Sequence, residues 1–334
     1  MSQSDCDLDY DKEDESIAQI VEVKMSDALA ELSGKKILVT GASGFLGSHL
    51  CDRLCQNGAE VHAISRTERT TDRELLHWWQ GNVEDLEVVQ NLFQTIQPQI
   101  VFHLSGLITG VAGLELVLPT FHSLVVSTVN ILTVATQMQC DRIVTIGSLE
   151  EPEPKQGEIA PISPYSAAKW ASVAYSRMFH HLYQTPVVLV RPFMTYGPRQ
   201  PIHKIIPSVT LSLLQGEAPK LASGTREVDW IYVDDVIDGM LAAARVPGVE
   251  GYTFDLGSGN LVSIRSLVEQ LTQIINPQIE PLFGALPDRP VEKVRVANIT
   301  LTSDKLGWQP RIALETGLVS TVDWFRQQSK AERT

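Results

Sequence analysis

A short apolar run, Lys36-Ile-Leu-Val-Thr40, passes through Gly41-x-x-Gly44-x-x-Gly47 and directly into the amphipathic stretch Ser48-His-Leu-Cys-Asp-Arg-Leu54. Strand, glycine turn and helix in that order constrain the fold more than any other feature of the chain. Glycines permit the tight turn, let backbone N–H groups approach a pyrophosphate and allow close helix–strand packing. The N-terminus of the helix adds partial positive charge for the phosphates. The motif therefore predicts a dinucleotide site at the head of an α/β domain.

Strand and helix signals keep alternating after it. Strands are expected at 60–65, 74–80, 99–104, 142–147 and 186–191, and helices at 84–96, 116–138 and 164–183. Such repeats imply a parallel sheet covered on both faces, with right-handed crossovers. Beyond Gly197-Pro198 the pattern loosens. Helices are expected at 205–214, 233–245, 264–275 and 314–328, with one strand, 252–256, returning to the sheet, and the proline-rich stretch 276–298 reads as loop. The predicted organisation is an acidic tail (1–33), a dinucleotide-binding domain (34–198) and a smaller substrate lobe (199–330).

Charge and cysteines exclude several classes. The net charge is −13, which argues against nucleic acid as a partner. Residues 1–33 carry ten acidic residues against Lys12 and Lys24 and read as a solvated extension. The four cysteines form no CxxC, so neither a disulfide scaffold nor a zinc site is expected, and a reducing, cytoplasmic setting fits. No apolar run approaches the roughly 18–20 residues needed to cross a bilayer, and no membrane association is expected.

The chemistry is read from two places. Tyr165-Ser-Ala-Ala-Lys169 puts Tyr and Lys at i and i+4 on one helix face. A neighbouring ammonium would help a phenol, whose ordinary pKa is ~10, to exchange protons with a substrate oxygen. Ser148, just past the fifth strand, supplies a hydroxyl for the same oxygen. At the end of the second strand, Val61-His-Ala-Ile-Ser65-Arg66 lacks the carboxylate that would accept the ribose hydroxyls of NAD. Ser65 and Arg66 could instead hold a 2′-phosphate, which favours NADP(H); NAD(H) stays open if Arg66 is an ordinary loop cation. Asn82 is placed for the adenine edge, or is a simple turn residue.

With these residues in view, the chain from about 35 to 325 resembles the extended short-chain dehydrogenases/reductases, in particular the sugar-nucleotide epimerase/dehydratase/4-ketoreductase group. The resemblance is carried by the glycine turn, Val101-Phe-His-Leu-Ser105, Gly147-Ser-Leu-Glu-Glu151, Ser163-Pro-Tyr-Ser-Ala-Ala-Lys169, Arg191-Pro-Phe-Met-Thr-Tyr-Gly-Pro198, Asp229-Trp-Ile-Tyr-Val-Asp-Asp235 and Leu306-Gly-Trp308. It implies a Rossmann-type doubly wound parallel sheet of about seven strands with a smaller C-terminal substrate lobe. It also implies a Ser148/Tyr165/Lys169 triad, with Lys169 on the nicotinamide ribose, and a homodimer built from two helices per subunit, for which Ala167, Ala168 and Ala171 offer a small-residue face. Cofactor contacts are expected at Gly41, Ser43, Gly44, Phe45, Leu46, Gly47, Ser65, Arg66, Asn82, Val83, Leu104, Tyr165, Lys169 and Pro192.

Glu150 stands where 4,6-dehydratases and some 4-ketoreductases of the group carry a glutamate, and is a candidate catalytic acid or a mere loop acid. The substrate contacts depart from the group's pattern. Met194 replaces an Asn and Val228 an Arg, with Arg226, Arg289 and Arg295 as the alternative phosphate cations, and Leu124 occupies a position that is often Asn. Charge-assisted contacts contribute about 1.5–3 kcal/mol each, so these losses bear on substrate choice. The leading expectation is NADPH-dependent reduction of a 4-keto (6-deoxy) sugar nucleotide. The alternatives are an epimerase or dehydratase that recycles its hydride internally, and a non-catalytic dinucleotide-binding scaffold.

Overall fold

The computed structural model describes residues 32–152, 160–288 and 294–331. Arg289 and nearly all of the acidic segment lie outside them. Leu32, assigned to that segment from the sequence, is buried in the core.

Seven parallel strands form the central sheet. In chain order they are β1 (Lys36–Thr40), β2 (Glu60–Ser65), β3 (Leu76–Gln80), β4 (Ile100–His103), β5 (Arg142–Ile146), β6 (Val187–Pro192) and β9 (Thr253–Leu256). Their spatial order is β3-β2-β1-β4-β5-β6-β9. The order reverses between β1 and β4, which opens a crevice at the carboxyl ends of the strands where open α/β sheets bind ligands. The inner strands β1, β2, β4, β5 and β6 are buried on both faces and read as mostly apolar runs, whereas the edge strands β3 and β9 keep exposed or half-buried positions. Ile37 and Val39 pack toward one layer with Leu50, Cys51 and Leu54, while Leu38 packs toward the other with Val89, Phe93, Ile131 and Leu132.

The first layer contains α1 (Phe45–Gln56) and, from the C-terminal part of the chain, α6 (Val233–Arg245). The second contains α2 (Leu86–Ile96), the helical segment α3 (Leu114–Gln137) and α4 (Pro164–Tyr183). α5 (Ile205–Leu214), α7 (Ile264–Ile275), α8 (Ile299–Leu306) and α9 (Leu314–Ala331) complete the C-terminal part. There a three-stranded sheet, ordered β10-β8-β7, joins β7 (Met194–Tyr196), β8 (Glu227–Tyr232) and β10 (Leu261–Ser263).

Two expectations are corrected in the second layer. α3 is 24 residues long with a mean hydropathy of 1.5 over its most apolar window, so by length and composition it could span a bilayer. The sequence hides this because Ser, Thr and His interrupt every apolar run. The helix lies against α4 through Leu124 and Val125 and against α2 through Ile131 and Leu132, as a core helix does. The second correction concerns the alanines. Ala167 is exposed and Ala171 half-buried, but Ala168 points inward beside Tyr165 and Leu124.

α4 carries the tyrosine and lysine, and its start is fixed locally. The Ser163 hydroxyl accepts the Ser166 N–H at 3.1 Å, the Ser166 hydroxyl accepts the Ser163 N–H at 3.3 Å, and Pro164 opens the helix. Ser163→Ala should lower unfolding stability by about 1 kcal/mol, seen as a lower urea midpoint at unchanged m.

Candidate active site

The turn after β1 is shaped by contacts that exclude side chains. Gly41 has φ +67, and a Cβ there would stand 2.7 Å from the Ser105 N. A Cβ on Gly47 would stand 2.2 Å from the Gly41 carbonyl oxygen. The first glycine lets the turn press on the end of β4, and the last lets α1 close onto the turn. No side chain caps α1 at Gly44, so its first N–H groups are left for a ligand.

A cleft of about 1900 Å³ opens above this turn. Apart from Arg295, it is lined by every described residue the sequence singled out for cofactor, catalysis or substrate: the glycine turn from Gly41 to Gly47 with Ser43, Phe45 and Leu46, then Ser65, Arg66, Asn82, Val83, Leu104, Ser148, Glu150, Tyr165, Lys169, Pro192, Met194 and Arg226. A dinucleotide is long and thin, and the glycine turn, the end of β2 and the Tyr–Lys helix lie along one continuous wall. The residues present fit such a group.

Arg295, expected as a phosphate cation, is used elsewhere. Its guanidinium donates to the carbonyls of Leu149 and, at 3.1 Å, Glu151, beneath the Ser148 loop. Arg66 is exposed at the cleft edge, and the nearby Arg69, which the sequence reading passed over, lies with its Cζ 5.4 Å from the centre of the Trp78 ring. Sequence reasoning also passed over Lys204 and Lys220, which line the far part of the cleft. Only their position in the fold marks them, since nothing about their spacing does.

At the centre, the Ser148 hydroxyl accepts the Glu150 N–H at 3.1 Å and hydrogen-bonds to Tyr165 in a way that favours the phenolate. Burial opposes this, and with the nearby Glu150 and Glu151 charges it pushes the phenol up to about 12. Lys169 donates to the Ile146 carbonyl at 3.0 Å, and burial pulls its ammonium down to about 8, partly countered by Glu151. A tyrosine that resists ionisation, one turn from a lysine whose ammonium is kept inside the protein at a cost, is an arrangement for moving one proton at one oxygen.

Beneath the lysine, His103 is fully buried and its pKa falls to about 3, through burial first and the Lys169 charge second. Its hydrogen bonds fix the tautomer. Thr128 and Ser127 commit their hydroxyl protons to the carbonyls of Leu124 and Ser123, at 2.5 and 2.6 Å. They therefore accept from the imidazole Nε2–H, at 3.2 and 3.3 Å, while the Thr40 hydroxyl donates to Nδ1 at 2.8 Å. His103 is thus a neutral, satisfied brace rather than a base. Among the described residues no group of three or more His, Cys, Asp or Glu could hold a metal ion.

Known proteins with similar sequences and folds show the family of the chain. Residues 37–257 match the model of the NAD-dependent epimerase/dehydratase family. UDP-glucose 4-epimerase of Mycolicibacterium smegmatis is 29% identical over 317 residues, covering 88% of this chain and all of that protein. dTDP-D-glucose 4,6-dehydratase of Bos taurus is 24% identical over 318 residues, covering 88% of this chain and 89% of that protein. The crystal structure of UDP-glucuronic acid 4-epimerase from Bacillus cereus, in complex with UDP-glucuronic acid and NAD, superposes with a TM-score of 0.78 at 25% identity, covering 88% of this chain and 99% of that one.

The lysine yields a stability prediction. Its pKa falls from 10.5 unfolded to about 8 folded, so holding it charged costs free energy, in full below pH 8. Between about pH 8 and 10.5 the unfolded state binds the extra proton, and the cost fades as pH rises. Lys169→Met should therefore raise the melting temperature at pH 7, with the gain shrinking toward pH 10.5 in thermal melts across that range.

Proposed function

The chain belongs to the NAD-dependent epimerase/dehydratase family, enzymes of the extended short-chain dehydrogenase/reductase group, and on that premise we propose that it is a sugar-nucleotide 4-epimerase acting on a UDP-sugar. Two epimerases and a dehydratase among its relatives favour internal recycling over the net NADPH-dependent reduction expected from the sequence. The observation that carries the reading is the Ser148–Tyr165–Lys169 grouping on the wall of one long cleft. A scaffold role would leave that grouping without purpose.

NAD, when bound, supplies reversible two-electron chemistry at C4 of the sugar. Its phosphates would be held by the turn Gly41–Gly47 and the N-terminus of α1, its adenosine end by Ser65, Arg66, Asn82 and Val83, and its nicotinamide ribose by Tyr165 and Lys169. Leu104 and Pro192 would wall the space between. Tyr165 takes up the proton of the reacting hydroxyl and later returns it. The Ser148 hydroxyl donates to the phenolate before the proton moves, and to the substrate oxygen once that proton has passed to Tyr165. Lys169 contributes positive charge that offsets the cost of ionising a buried phenol. Met194 and Arg226 line the substrate side.

A second reading, a 4,6-dehydratase, is favoured by Glu150, whose position on the cleft wall two residues after Ser148 suits an acid that moves protons beside C4. UDP-glucose, UDP-glucuronic acid and dTDP-glucose, each incubated with the purified protein, separate the readings. Epimerised UDP-sugar is expected, Tyr165→Phe should reduce turnover at least a thousandfold, and a 4-keto-6-deoxy product would select the dehydratase. NAD is the nucleotide expected on denaturing the same preparation. Release of NADP instead would assign Ser65 and Arg66 to a 2′-phosphate.

We also propose a homodimer through α3 and α4. Leu114 and Leu118 are 87% and 65% exposed, and with Phe121 they line the outer side of α3 beside Ala167, Trp170, Ala174 and Tyr175 of α4. Exposed apolar side chains grouped on adjacent helices mark an association surface, and a second copy presents the same face. Light scattering should give a dimer, and Leu118→Glu should give a monomer.

A further inference from the structure

The pair Glu150-Glu151 looks symmetrical in the sequence and is not so in the fold. Glu150 lies on the cleft wall, whereas Glu151 is 5% exposed and faces inward beneath the Ser148 turn. Its Oε1 accepts the Ser148 N–H at 2.5 Å and its own N–H donates to the Ser148 carbonyl at 3.2 Å. Its Oε2 pairs with Arg191 at 3.2 Å, and Arg191 also pairs with Asp255 of β9 at 2.9 Å. Arg295 holds the Glu151 carbonyl from the other side at 3.1 Å.

A neutral Gln or Asn could accept the Ser148 N–H at lower desolvation cost. Burying a carboxylate is expensive unless it is paired, and Glu151 shares its ion-pair partner Arg191 with a second acid, Asp255. What a carboxylate adds over an amide is charge, and from the underside of the Ser148 turn that charge acts on both Tyr165 and Lys169. We propose that Glu151 is a positioning residue of the reaction: its carboxylate clamps the Ser148 turn from beneath and presents a fixed negative charge to Tyr165 and Lys169. The assignment rests on the Ser148–Tyr165–Lys169 reading of the site. Among the described residues, the other charged or titratable groups around the pair are Glu150 on the same turn, Arg295 bonded to that turn's carbonyls and neutral His103 at the end of β4, with Arg191 and Asp255 behind Glu151. Glu151 favours the Lys169 ammonium and disfavours the Tyr165 phenolate.

The experiment reads the phenolate directly and needs no substrate. Tyrosinate absorbance at 295 nm is followed between pH 9 and 12 in stopped-flow pH jumps, before unfolding, on the full chain. Subtracting the same titration of Tyr165→Phe isolates Tyr165. In Glu151→Gln, measured against Glu151→Gln/Tyr165→Phe, Tyr165 should ionise at least half a pH unit lower than in the unaltered protein. A merely structural Glu151 would change the melting temperature and leave this titration where it was. An unmoved or raised titration overturns the proposal. Should Glu151→Gln not fold, Arg191→Gln keeps the carboxylate and removes its cation, and Tyr165 should then ionise higher; no upward shift overturns the proposal equally. Failure of the triad reading shows separately, as turnover retained by Tyr165→Phe.

Discussion

The site is organised around the cost of keeping an ammonium inside the protein. Lys169 sits on a helix held tightly against the sheet, with the Ile146 carbonyl at 3.0 Å as its direct partner. That carbonyl is available because β5 ends there, while the next residue, Gly147, still bonds across to the Val190 carbonyl at 2.8 Å. The strand end thus stays in register yet leaves one acceptor for a side chain. Beneath it, a neutral His103 adds no competing charge at ordinary pH, because burial and the Lys169 charge keep it deprotonated. The positive charge that a reacting oxygen would feel is bought with stability, as is common where function needs a group out of its preferred medium.

Much of this architecture could be read in the sequence because local and global preferences coincide there. The strand β1, the glycine turn and α1 are adjacent in the chain, so spacing alone specifies them. α4 is written twice, by its cap at Ser163-Pro164 and by the Tyr165/Lys169 spacing, and it begins and ends where expected. The short strands of the second sheet were less legible. β7 and β10 have three residues each and take their form from pairing with β8, not from a period of their own. α8 falls at the end of a proline-rich stretch whose composition reads as loop, and its helical form depends on Thr302 reaching the Asp255 carbonyl and on Leu306 entering the core.

The hidden acid is the sharper case. Nothing in Gly147-Ser-Leu-Glu-Glu151 tells the two glutamates apart, because their difference is made by Arg191 on β6 and Arg295 in a distant loop. Arg295 illustrates the same limit from the other side. A cation in a loop near the substrate end suggested a phosphate contact, and the fold spends it on two carbonyls of the turn. Long-range pairing decides which charges face the cleft, and one sequence carries no period or spacing that records it.

Leu124 shows how a departure from a family pattern can be absorbed by the backbone. It lies in a π-helical turn, Phe121–Val126, at the point where α3 passes α4. Its side chain is buried with Tyr165, and its carbonyl receives the Thr128 hydroxyl at 2.5 Å and the Ser172 hydroxyl at 2.9 Å. The carbonyl at this turn is therefore already satisfied by hydroxyls from its own helix and the neighbouring one. The wider turn changes the register of the helix enough that Ser127 and Thr128 both reach His103. A polar side chain at 124 would have to displace part of this seam, whereas leucine fills the space between the two helices. The helix keeps its polar connection to the sheet through Ser127, Thr128 and His103, and the lost side-chain polarity is confined to the surface that Tyr165 packs against.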